Sequence, residues 1–517
     1  MPKPFYITTA IDYTNGPPHI GHAYEKVLAD VIARYHRLKG EEVFFLTGVD
    51  QHGQKVQQSA EKAGVAPQQF VDEITAKFIA LWEKLEVRYD LWAATTDPRH
   101  TRCVQGMLQR LYDEGQIYKD KQEGYYSIRQ EQFLTDKERG PDGEFGPEWG
   151  QVEHRVEENY YFRLAQHKDW LLDYLRENPD CVTPDFRQTE LINAVERLRE
   201  NLCISRPKSR LRWGIELPFD SDYVNYVWFD ALTNYISFIG YDPAVSAFSL
   251  QPSSFQEKWP ALHVLGKDIL IPAHGIYWPI MLHALGFPNE QMPKFLVHGW
   301  WNVSGAKMSK SLGNVIDPNE LVDKYGAEAL RYYLIADIVT GKDSDFSEDR
   351  LVSRFNAELA NSLGNLLNRA LSMTQRYRKG KLSGRGPGTI VHLSAYQSEM
   401  ESSHNAALER VNSYITGWNQ EIDVKKPWAL AKEESATKEL DALLYRLAEG
   451  LRIIAILNSP VLPKAAHGIF DQLNWKMELS GKERRFSLAD AESGQLPDGH
   501  IVGKPTPLFP RIEQDAG

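Results

Sequence analysis

Two histidines near the N-terminus stand where a strand gives way to a helix, in the segment Asn15-Gly16-Pro17-Pro18-His19-Ile20-Gly21-His22. A turn of this kind directs backbone N–H groups and the positive end of the helix dipole at its ligand, which is commonly a phosphate. Gly21 would let such a ligand approach the backbone closely, and the two imidazoles could donate hydrogen bonds to phosphate oxygens as charge accumulates. The pattern indicates a phosphate site, although a plain turn with two surface histidines is the alternative for an isolated HxxH.

A second group of chemically useful residues is the segment Lys307-Met308-Ser309-Lys310-Ser311, which lies between Gly305 and Gly313. Two lysines in a serine-containing loop bounded by glycines form a mobile cationic clamp that suits a polyphosphate. Taken alone, a solvated lysine pair in a surface loop is the simpler interpretation. The two motifs together favour a nucleotide as the ligand.

The elements around these motifs follow the pattern of a parallel α/β unit. Residues 5–10 and 43–47 are apolar runs typical of buried strands, and a helix with one apolar face is predicted between them from Tyr24, Val27, Leu28, Val31, Ile32 and Tyr35. Further helices are predicted at residues 68–85 and 102–114. Residues 226–229, 261–265 and 294–298 are predicted to continue the parallel sheet.

Two composition changes divide the rest of the chain. Residues 116–222 are rich in aromatic, glycine and charged residues, which indicates a domain of short strands inserted into the α/β core. After residue 349 the period is helical, and two leucine stripes predict a helical bundle; they are formed by Leu359, Leu363, Leu366, Leu367, Ala370 and Leu371, and by Leu440, Leu443, Leu444, Leu447 and Leu451. The predicted units are residues 1–115, 116–222, 223–305, 306–348, 349–460 and a tail, 461–517, that packs back on the body.

The composition is that of a globular protein, with 517 residues, 42% of them hydrophobic and 25% charged. A net charge of −11 argues against a general polyanion-coating protein, and DNA is not an expected partner. No apolar run of about 18 residues predicts a membrane helix, and the N-terminus lacks a secretory signal. Three scattered cysteines suggest no disulfide framework. A cytoplasmic location is therefore expected.

The two motifs resemble the two signatures of the class I aminoacyl-tRNA synthetases, in the order and context of that family. Longer segments resemble its methionyl-tRNA synthetase branch, among them TTAIDYTNGPPHIGHAYEKVLADVIARY, FLTGVDQHGQKVQQSA, YVWFDALTNYISF, FNAELANSLGNLLNR and KKPWALAK. The resemblance implies an α/β fold: a Rossmann-type parallel-sheet catalytic domain with an inserted connective domain, followed by an α-helical bundle that binds the anticodon. The expected reaction forms methionyl-adenylate and pyrophosphate from methionine and ATP, and then transfers methionine to the terminal ribose of tRNA(Met).

The resemblance also assigns a methionine pocket, position by position. Its expected side-chain lining is Ile11, Tyr13, Trp228, Ala231, Tyr235, Ile269, His274 and Trp278. Asp50 would bind the ammonium group in a charge-assisted contact. A flexible thioether is best held by aromatic and apolar contacts, so the assignment is chemically coherent. Without the resemblance, Trp228, Tyr235 and Trp278 would be interpreted as core aromatics.

The same resemblance assigns the ATP site. His19, Gly21, His22 and Glu25 would face ATP, Gly266 and Asp268 would lie near its ribose, and Lys307 and Lys310 would hold the phosphates. His19, His22, Lys307 and Lys310 are thereby the expected catalytic residues. Mg²⁺ is expected to accompany ATP. No covalent nucleophile is needed, because catalysis rests on positioning and charge stabilisation.

A third set belongs to the helical part. Asn361, Asn365 and Arg369 are spaced i, i+4 and i+8 on one helix face, and amide and guanidinium groups can hydrogen-bond unstacked bases. Trp428 could stack a base. In the family these positions resemble the residues that read the CAU anticodon. The alternative is a solvated polar face and a tryptophan that caps the core.

Departures from the family pattern lead to further expectations. The segment Tyr126-Ser127-Ile128-Arg129-Gln130-Glu131 stands where many members have a cysteine pair, so no zinc is predicted. The sequence ends after PLFPRIEQDAG without an appended dimerising domain, and a monomer is expected. Three other functions stay open: a synthetase for another apolar amino acid, a small-molecule nucleotidyltransferase and a non-catalytic tRNA-binding relative. Amino-acid-dependent pyrophosphate exchange would separate the first two from methionine activation.

Overall fold

A parallel sheet forms the centre of the N-terminal part. The computed structural model describes residues 3–127, 132–134, 136–140, 142–245, 247–308, 313–384, 391–475 and 486–513, and within these ranges the sheet has seven strands. Their order is Asp12–Tyr13, Val43–Asp50, Phe5–Thr9, Ala261–Gly266, Lys294–His298 and Val182–Thr183, with Leu91–Ala94 also paired to Val43–Asp50. The strands consist largely of buried apolar and β-branched residues, as is typical of a sheet covered on both faces.

The helix Ile20–Leu38 crosses from the first strand to its neighbour Val43–Asp50. This confirms the predicted strand, helix and strand. Its apolar stripe is buried on the sheet, but so are Lys26, Asp30 and Arg34 on its other sides. Asp30 and Arg34 are buried on the side where the helix Ala327–Ala336 packs, and Arg331 of that helix contacts Asp30. Lys26 is buried against Asp12 and the Trp82 ring.

The other helices of this part surround the sheet. The helices predicted at residues 68–85 and 102–114 are confirmed as Pro67–Lys84 and Pro98–Asp113, each with proline in its first turn. The remaining helices here are Gln54–Ala63, Val227–Leu232, Asn234–Ser237, Ser253–Gln256, Lys267–Ile269, Trp278–Ala284, Pro318–Tyr325 and Ala327–Ala336, with a π-helical stretch at Leu270–Tyr277. A small sheet is formed by Trp301–Val303, Ala306–Lys307 and Ser344–Asp345.

The inserted region contains strands, as the sequence indicated, and the structure shows that they are antiparallel and that helices interrupt them. One sheet contains Ile117–Ser127, Gln132–Leu134, Val152–Phe162 and Leu202–Cys203, and a second contains Ser205–Pro207, Glu216–Leu217 and Asp220–Asn225. Along the chain between Val152–Phe162 and Leu202–Cys203, the helices Lys168–Glu177 and Asp185–Glu196 flank Val182–Thr183, which joins the central parallel sheet. A strand of two residues is too short to produce a periodic pattern in the sequence. The predicted inserted domain, residues 116–222, therefore includes this strand although it belongs to the central sheet.

One predicted strand is wrong. Residues 226–229 do not join the parallel sheet, because the helix Val227–Leu232 begins here, directly after the antiparallel strand Asp220–Asn225. A four-residue apolar run fits either a strand or one buried helical turn. The strands predicted at residues 261–265 and 294–298 are confirmed.

The C-terminal part is helical, as predicted. Its helices are Glu348–Arg354, Asn365–Arg378, Leu393–Ser402, His404–Lys425, Pro427–Leu430, Thr437–Asn458 and Pro463–Gln472, with π-helical geometry at Phe355–Gly364. Both leucine stripes are buried. The predicted tail differs from the expectation in that it begins with the helix Pro463–Gln472. Its far end does pack back, since Ile512 and Asn356 exchange two hydrogen bonds of 2.9 Å.

Candidate active site

A cleft of about 1060 Å³ opens at the carboxyl ends of the central strands. Asp50, Gly266 and His298 are the last residues of three of these strands, and all three line the cleft. This edge is where open α/β sheets bind ligands. The structure brings together residues from both predicted sets here: Ile11, Tyr13, Asp50, Trp228, Ala231, Tyr235, Ile269 and His274 from the methionine set, and His19, Gly21, His22, Glu25, Gly266 and Asp268 from the ATP set.

His19 and His22 cap the helix Ile20–Leu38. The Nδ1 atom of His19 accepts the Gly21 N–H at 3.1 Å, and the Nδ1 atom of His22 accepts the His19 N–H at 3.1 Å. Because both Nδ1 atoms are acceptors, each neutral ring carries its proton on Nε2. The cap therefore selects the tautomer that presents an Nε2–H donor, which suits a phosphate oxygen at the helix N-terminus.

Glu25 belongs to a buried charge cluster in the wall of the cleft. The Lys26 ammonium contacts Asp12 at 2.7 Å and Glu25 at 2.9 Å, and His298 Nε2 lies 3.1 Å from Glu25. Burial raises the pKa of Asp12 to about 7, although Lys26 opposes the shift. Burial acts in the same direction on Glu25, but Lys26 and His298 outweigh it and lower its pKa. The cluster thus keeps an ionised carboxylate beside the ATP half of the cleft.

Asp50 is 6% exposed at the end of its strand. Its Oδ1 atom accepts the His52 N–H at 3.3 Å and the Thr95 hydroxyl at 3.4 Å. Burial, together with repulsion from the Asp230 carboxylate, raises the pKa of Asp50 to about 8. In its ionised form this carboxylate is a good partner for an ammonium ion, because the contact would be charge-assisted.

Tyr235 and His274 form the polar part of an aromatic wall. His274 Nδ1 lies 2.8 Å from the Ile269 carbonyl oxygen, and its Nε2 lies 2.8 Å from the Tyr235 hydroxyl. Burial lowers the pKa of His274 to about 4, so the ring is neutral at physiological pH. It donates to the carbonyl through Nδ1, and Nε2 accepts the Tyr235 O–H. The Trp228 ring meets His274 edge-on at 6.2 Å.

Trp278 does not line the cleft but supports this wall from behind. It is fully buried, its ring centroid is 5.8 Å from that of Tyr235, and its Nε1–H donates to His263 Nε2 at 3.2 Å. His263 Nδ1 lies 2.6 Å from the Thr8 hydroxyl. In this structure Trp278 contacts Tyr235 and His263 instead of the cleft, and its predicted contact with methionine stays a prediction.

The inserted region forms the opposite wall of the cleft. Lys121, Arg206 and Arg210 line it together with tyrosines. Arg206 lies over the Tyr226 ring at 4.6 Å, and Arg210 contacts Glu157 at 3.2 Å. Cations and aromatic faces in one wall are the groups that bind an unstacked nucleotide.

Part of the lysine loop lies outside the described residues. Ala306–Lys307 is a strand paired with Trp301–Val303, and Met308 lines the cleft. Lys310 and the side chain of Lys307 are not among the described atoms. The loop therefore leaves the small sheet at the edge of the cleft, which is compatible with a phosphate role for its lysines.

Three of the residues predicted to read an anticodon, Asn361, Asn365 and Arg369, lie on one continuous helical run, and the fourth, Trp428, lies on the short helix Pro427–Leu430. Asn361 belongs to the π-helical stretch and Asn365 begins the next helix; both are exposed. Arg369 is half-buried and forms a 2.5 Å ion pair with Asp423 in the last turn of the helix His404–Lys425. Trp428 follows that helix and is 46% exposed. This face is far in sequence from the cleft and presents hydrogen-bonding and stacking groups.

Sequence reasoning missed several residues of the cleft. Asp12 and His298 line the cleft and the buried Lys26 pairs with Asp12 behind it; none of the three carries a motif, and their signal was only that charged residues interrupt otherwise apolar elements. Within the described ranges, no group of three or more His, Cys, Asp or Glu could hold a metal ion. In the same ranges, no helix is long and apolar enough to cross a membrane.

Comparison with known proteins extends the likeness over nearly the whole chain. The family model "tRNA synthetases class I (M)" matches residues 5–142 and 149–371. A methionine–tRNA ligase of Deinococcus radiodurans is 42% identical over 99% of this chain and 75% of its own length, and one of Halalkalibacterium halodurans is 40% identical over 99% and 79%. The structure of Mycobacterium tuberculosis methionyl-tRNA synthetase in complex with methionyl-adenylate has a TM-score of 0.87 at 35% identity, covering 98% of this chain and all of that one.

Proposed function

The chain belongs to the class I tRNA synthetases of the methionine type, and from this premise we propose how its residues divide the reaction. It is a methionine–tRNA ligase that activates methionine with ATP and transfers it to tRNA. In the first step a methionine carboxylate oxygen bonds to the α-phosphorus of ATP, and the bond to the bridging oxygen breaks. Pyrophosphate leaves with that electron pair. In the second step the terminal ribose hydroxyl attacks the carbonyl carbon and AMP leaves.

We propose that His19 and His22 bind the phosphates of ATP through Nε2. The capping hydrogen bonds that occupy both Nδ1 atoms support this role. As negative charge moves to the leaving pyrophosphate, fixed donors at a helix N-terminus stabilise it without reorganisation. Lys307 and Lys310 would add charge from the loop that begins at the edge of the cleft. Glu25, Gly266 and Asp268 would contact the nucleoside part.

Methionine would lie with its ammonium group at Asp50 and its side chain against Trp228, Ala231, Tyr235 and His274. The common cleft that these residues line supports this arrangement. Tyr13, Ile11 and Ile269 would complete the lining. A neutral His274 avoids placing a full charge beside the thioether, and polarisable sulfur favours aromatic contacts.

For tRNA, we propose two contact regions. Asn361, Asn365, Arg369 and Trp428 would read the CAU anticodon; the exposure of Trp428 and the ion pair between Arg369 and Asp423, near the end of the helix that precedes Trp428, support this role. The cationic and aromatic wall of the inserted region would receive the terminal nucleotide. Mg²⁺ would enter with ATP and neutralise phosphate charge. A cytoplasmic monomer without zinc remains our prediction for the working enzyme.

The observation that most directly supports this function is that Asp50, the aromatic wall and the capped His19–His22 pair line one cleft. The test is ATP–pyrophosphate exchange by the purified, metal-chelated protein, with MgATP added and each of the twenty amino acids in turn. Exchange driven by methionine alone is the expected result. Better exchange with leucine or valine would contradict the pocket assignment, and exchange that requires added zinc would contradict the zinc prediction.

A further inference from the structure

Asp230 is a buried carboxylate that the proposed mechanism leaves without a task. It is 1% exposed and lies on the helix Val227–Leu232, between Trp228 and Ala231. His52 Nδ1 donates to its Oδ2 atom at 2.7 Å, and His100 Nε2 donates to its Oδ1 atom at 2.7 Å. The other nitrogen of His100 lies 2.8 Å from the Ser237 hydroxyl. Two histidines from distant parts of the chain thus meet on one carboxylate.

The bridge joins the two halves of the methionine site. His52 follows Asp50 by two residues, and its backbone N–H donates to Asp50 Oδ1 at 3.3 Å. At the other end, Asp230 shares one short helix with Trp228 and Ala231, which line the cleft. A shift of Asp230 would therefore move the aromatic wall relative to the carboxylate that receives the ammonium group. His100 holds the same helix to Pro98–Asp113.

The charges around the bridge also bear on Asp50. Burial tends to lower the pKa of His52, but the Asp230 carboxylate outweighs it and raises that pKa. Burial tends to raise the pKa of Asp230, but His52 and His100 lower it. Asp50 is thus faced by Asp230, which raises its pKa, and by His52 and the Thr95 hydroxyl, which lower it; Lys55 is an exposed cation in the cleft wall.

We propose that the His52–Asp230–His100 bridge is a positioning device for methionine, which aligns the aromatic wall with Asp50 and sets the charge that opposes the substrate ammonium group. None of the three residues lines the cleft, so they act through Asp50, Trp228 and Ala231. His52 lies between two carboxylates, and one of them, Asp50, lines the cleft where the ammonium group would bind. The inference rests on the proposed function, because it needs methionine as the substrate.

Variants of His52 and His100 test two effects separately: the effect of the His52 imidazole on Asp50, and the hydrogen bond from His100 to Asp230. His52→Asn keeps an N–H near the Nδ1 position but removes the titratable imidazole that lowers the pKa of Asp50. His100→Ala removes a hydrogen bond to Asp230, and His100→Gln restores an N–H at the Nε2 position. The exposed His392 supplies the control His392→Asn. Each purified full-length protein is melted and then assayed for methionine-dependent pyrophosphate exchange from pH 6.5 to pH 9.

For His52→Asn we expect the methionine KM to rise about tenfold at pH 7 and less than about twofold at pH 9, which corresponds to a shift of one pKa unit in Asp50. The KM for ATP should stay within about twofold of the parent value, because the ATP half of the cleft does not contact the bridge. His100→Ala should raise the methionine KM at every pH, and His100→Gln should recover most of the loss.

The outcomes distinguish this inference from the proposed function. If the parent protein does not exchange with methionine, the proposed function fails. If the parent exchanges and the variants only melt earlier, with unchanged methionine KM and pH profile, the bridge is structural and the inference is wrong. Equal changes in the KM values for methionine and ATP would likewise overturn it, because a device that positions methionine should change the KM for methionine and not the KM for ATP. Should His100→Ala not fold, His52→Asn alone decides the question.

Discussion

His19 and His22 cap one helix reciprocally, with ring centroids 3.8 Å apart and each Nδ1 atom accepting a backbone N–H. The same two side chains thus cap the N-terminus of a helix and line the cleft. The two nitrogens of each ring have separate roles, since Nδ1 accepts a backbone N–H and Nε2 is the atom that we propose donates to ATP phosphate. This separation allows fold and catalysis to be tested independently at each histidine.

The first prediction concerns His22. His22→Asn keeps an acceptor near Nδ1 and removes the Nε2 donor, so pyrophosphate exchange should fall about 10²–10³-fold while the melting temperature hardly changes. His22→Gln keeps a donor near Nε2 and loses the cap, so it should retain more activity and melt earlier. Exchange assays and thermal melts check both variants. The reverse ranking in activity would show that the cap, not the donor, is what the reaction needs.

The second prediction concerns Gly21. A Cβ atom there would lie 2.9 Å from Cε1 of His19, so Gly21→Ala should displace the ring and lower pyrophosphate exchange about tenfold or more, as misplacement at an active site does. Gly417 lies in the helix His404–Lys425 with open space around its Cβ position. Gly417→Ala is therefore the matched control, and it should keep full exchange and melt no earlier. If Gly21→Ala and Gly417→Ala had equal exchange activity, a clash between the new Cβ atom and the His19 ring would not affect the reaction.

The third prediction concerns pH and Asp50. The raised pKa, about 8, means that the carboxyl group of the free protein is largely protonated at neutral pH and must lose a proton to bind an ammonium ion. The methionine KM should therefore fall as pH rises towards 8 and level off above it. Asp50→Asn should raise that KM about 10–100-fold and abolish this part of the pH dependence. A pH-independent KM in the parent protein would contradict an Asp50 that starts protonated.

The residues that could be predicted from sequence are those whose partners are near in sequence or carry a motif. His19 and His22 are an example, because one turn of helix brings them together. Asp230 is the opposite case, since its partners His52 and His100 lie 178 and 130 residues away and no periodicity signals them. The strand wrongly predicted at residues 226–229 failed for a related reason: burial of a short apolar turn depends on distant elements. The two-residue strand Val182–Thr183 depends on its neighbour Lys294–His298 in the same way.

The fourth prediction concerns the buried junction between the catalytic part and the C-terminal helices. Arg331 is fully buried, contacts Asp30 at 2.7 Å and donates to the carbonyl groups of Leu85, Pro460 and Val461 at 2.9–3.0 Å. Arg331→Met would leave these acceptors unpaired, so the free energy of unfolding should fall by about 3–5 kcal/mol.

Denaturant titration of the whole chain measures this loss. The exposed pair Lys84–Asp323 has a similar contact distance of 2.9 Å, and Lys84→Met should change stability by less than about 1 kcal/mol. Adding Asp30→Asn to Arg331→Met should cost less than the sum of the single changes, because the partners share one interaction. Additive losses would mean that Arg331 stabilises the junction independently of Asp30.

The last prediction concerns anticodon reading by Arg369. Its ion pair with Asp423 holds the guanidinium against the end of the helix that precedes Trp428. Arg369→Gln should lower the kcat/KM of aminoacylation about 10–100-fold and leave pyrophosphate exchange unchanged, because the cleft is formed by other elements. Lys438, an exposed cation on a neighbouring helix, supplies the control Lys438→Gln, which should charge tRNA normally.

The decisive measurement uses transcripts with a mutated CAU anticodon: the parent should discriminate strongly, and Arg369→Gln should discriminate less. Undiminished discrimination by the variant would assign the reading to other residues and leave Arg369 as a structural partner of Asp423.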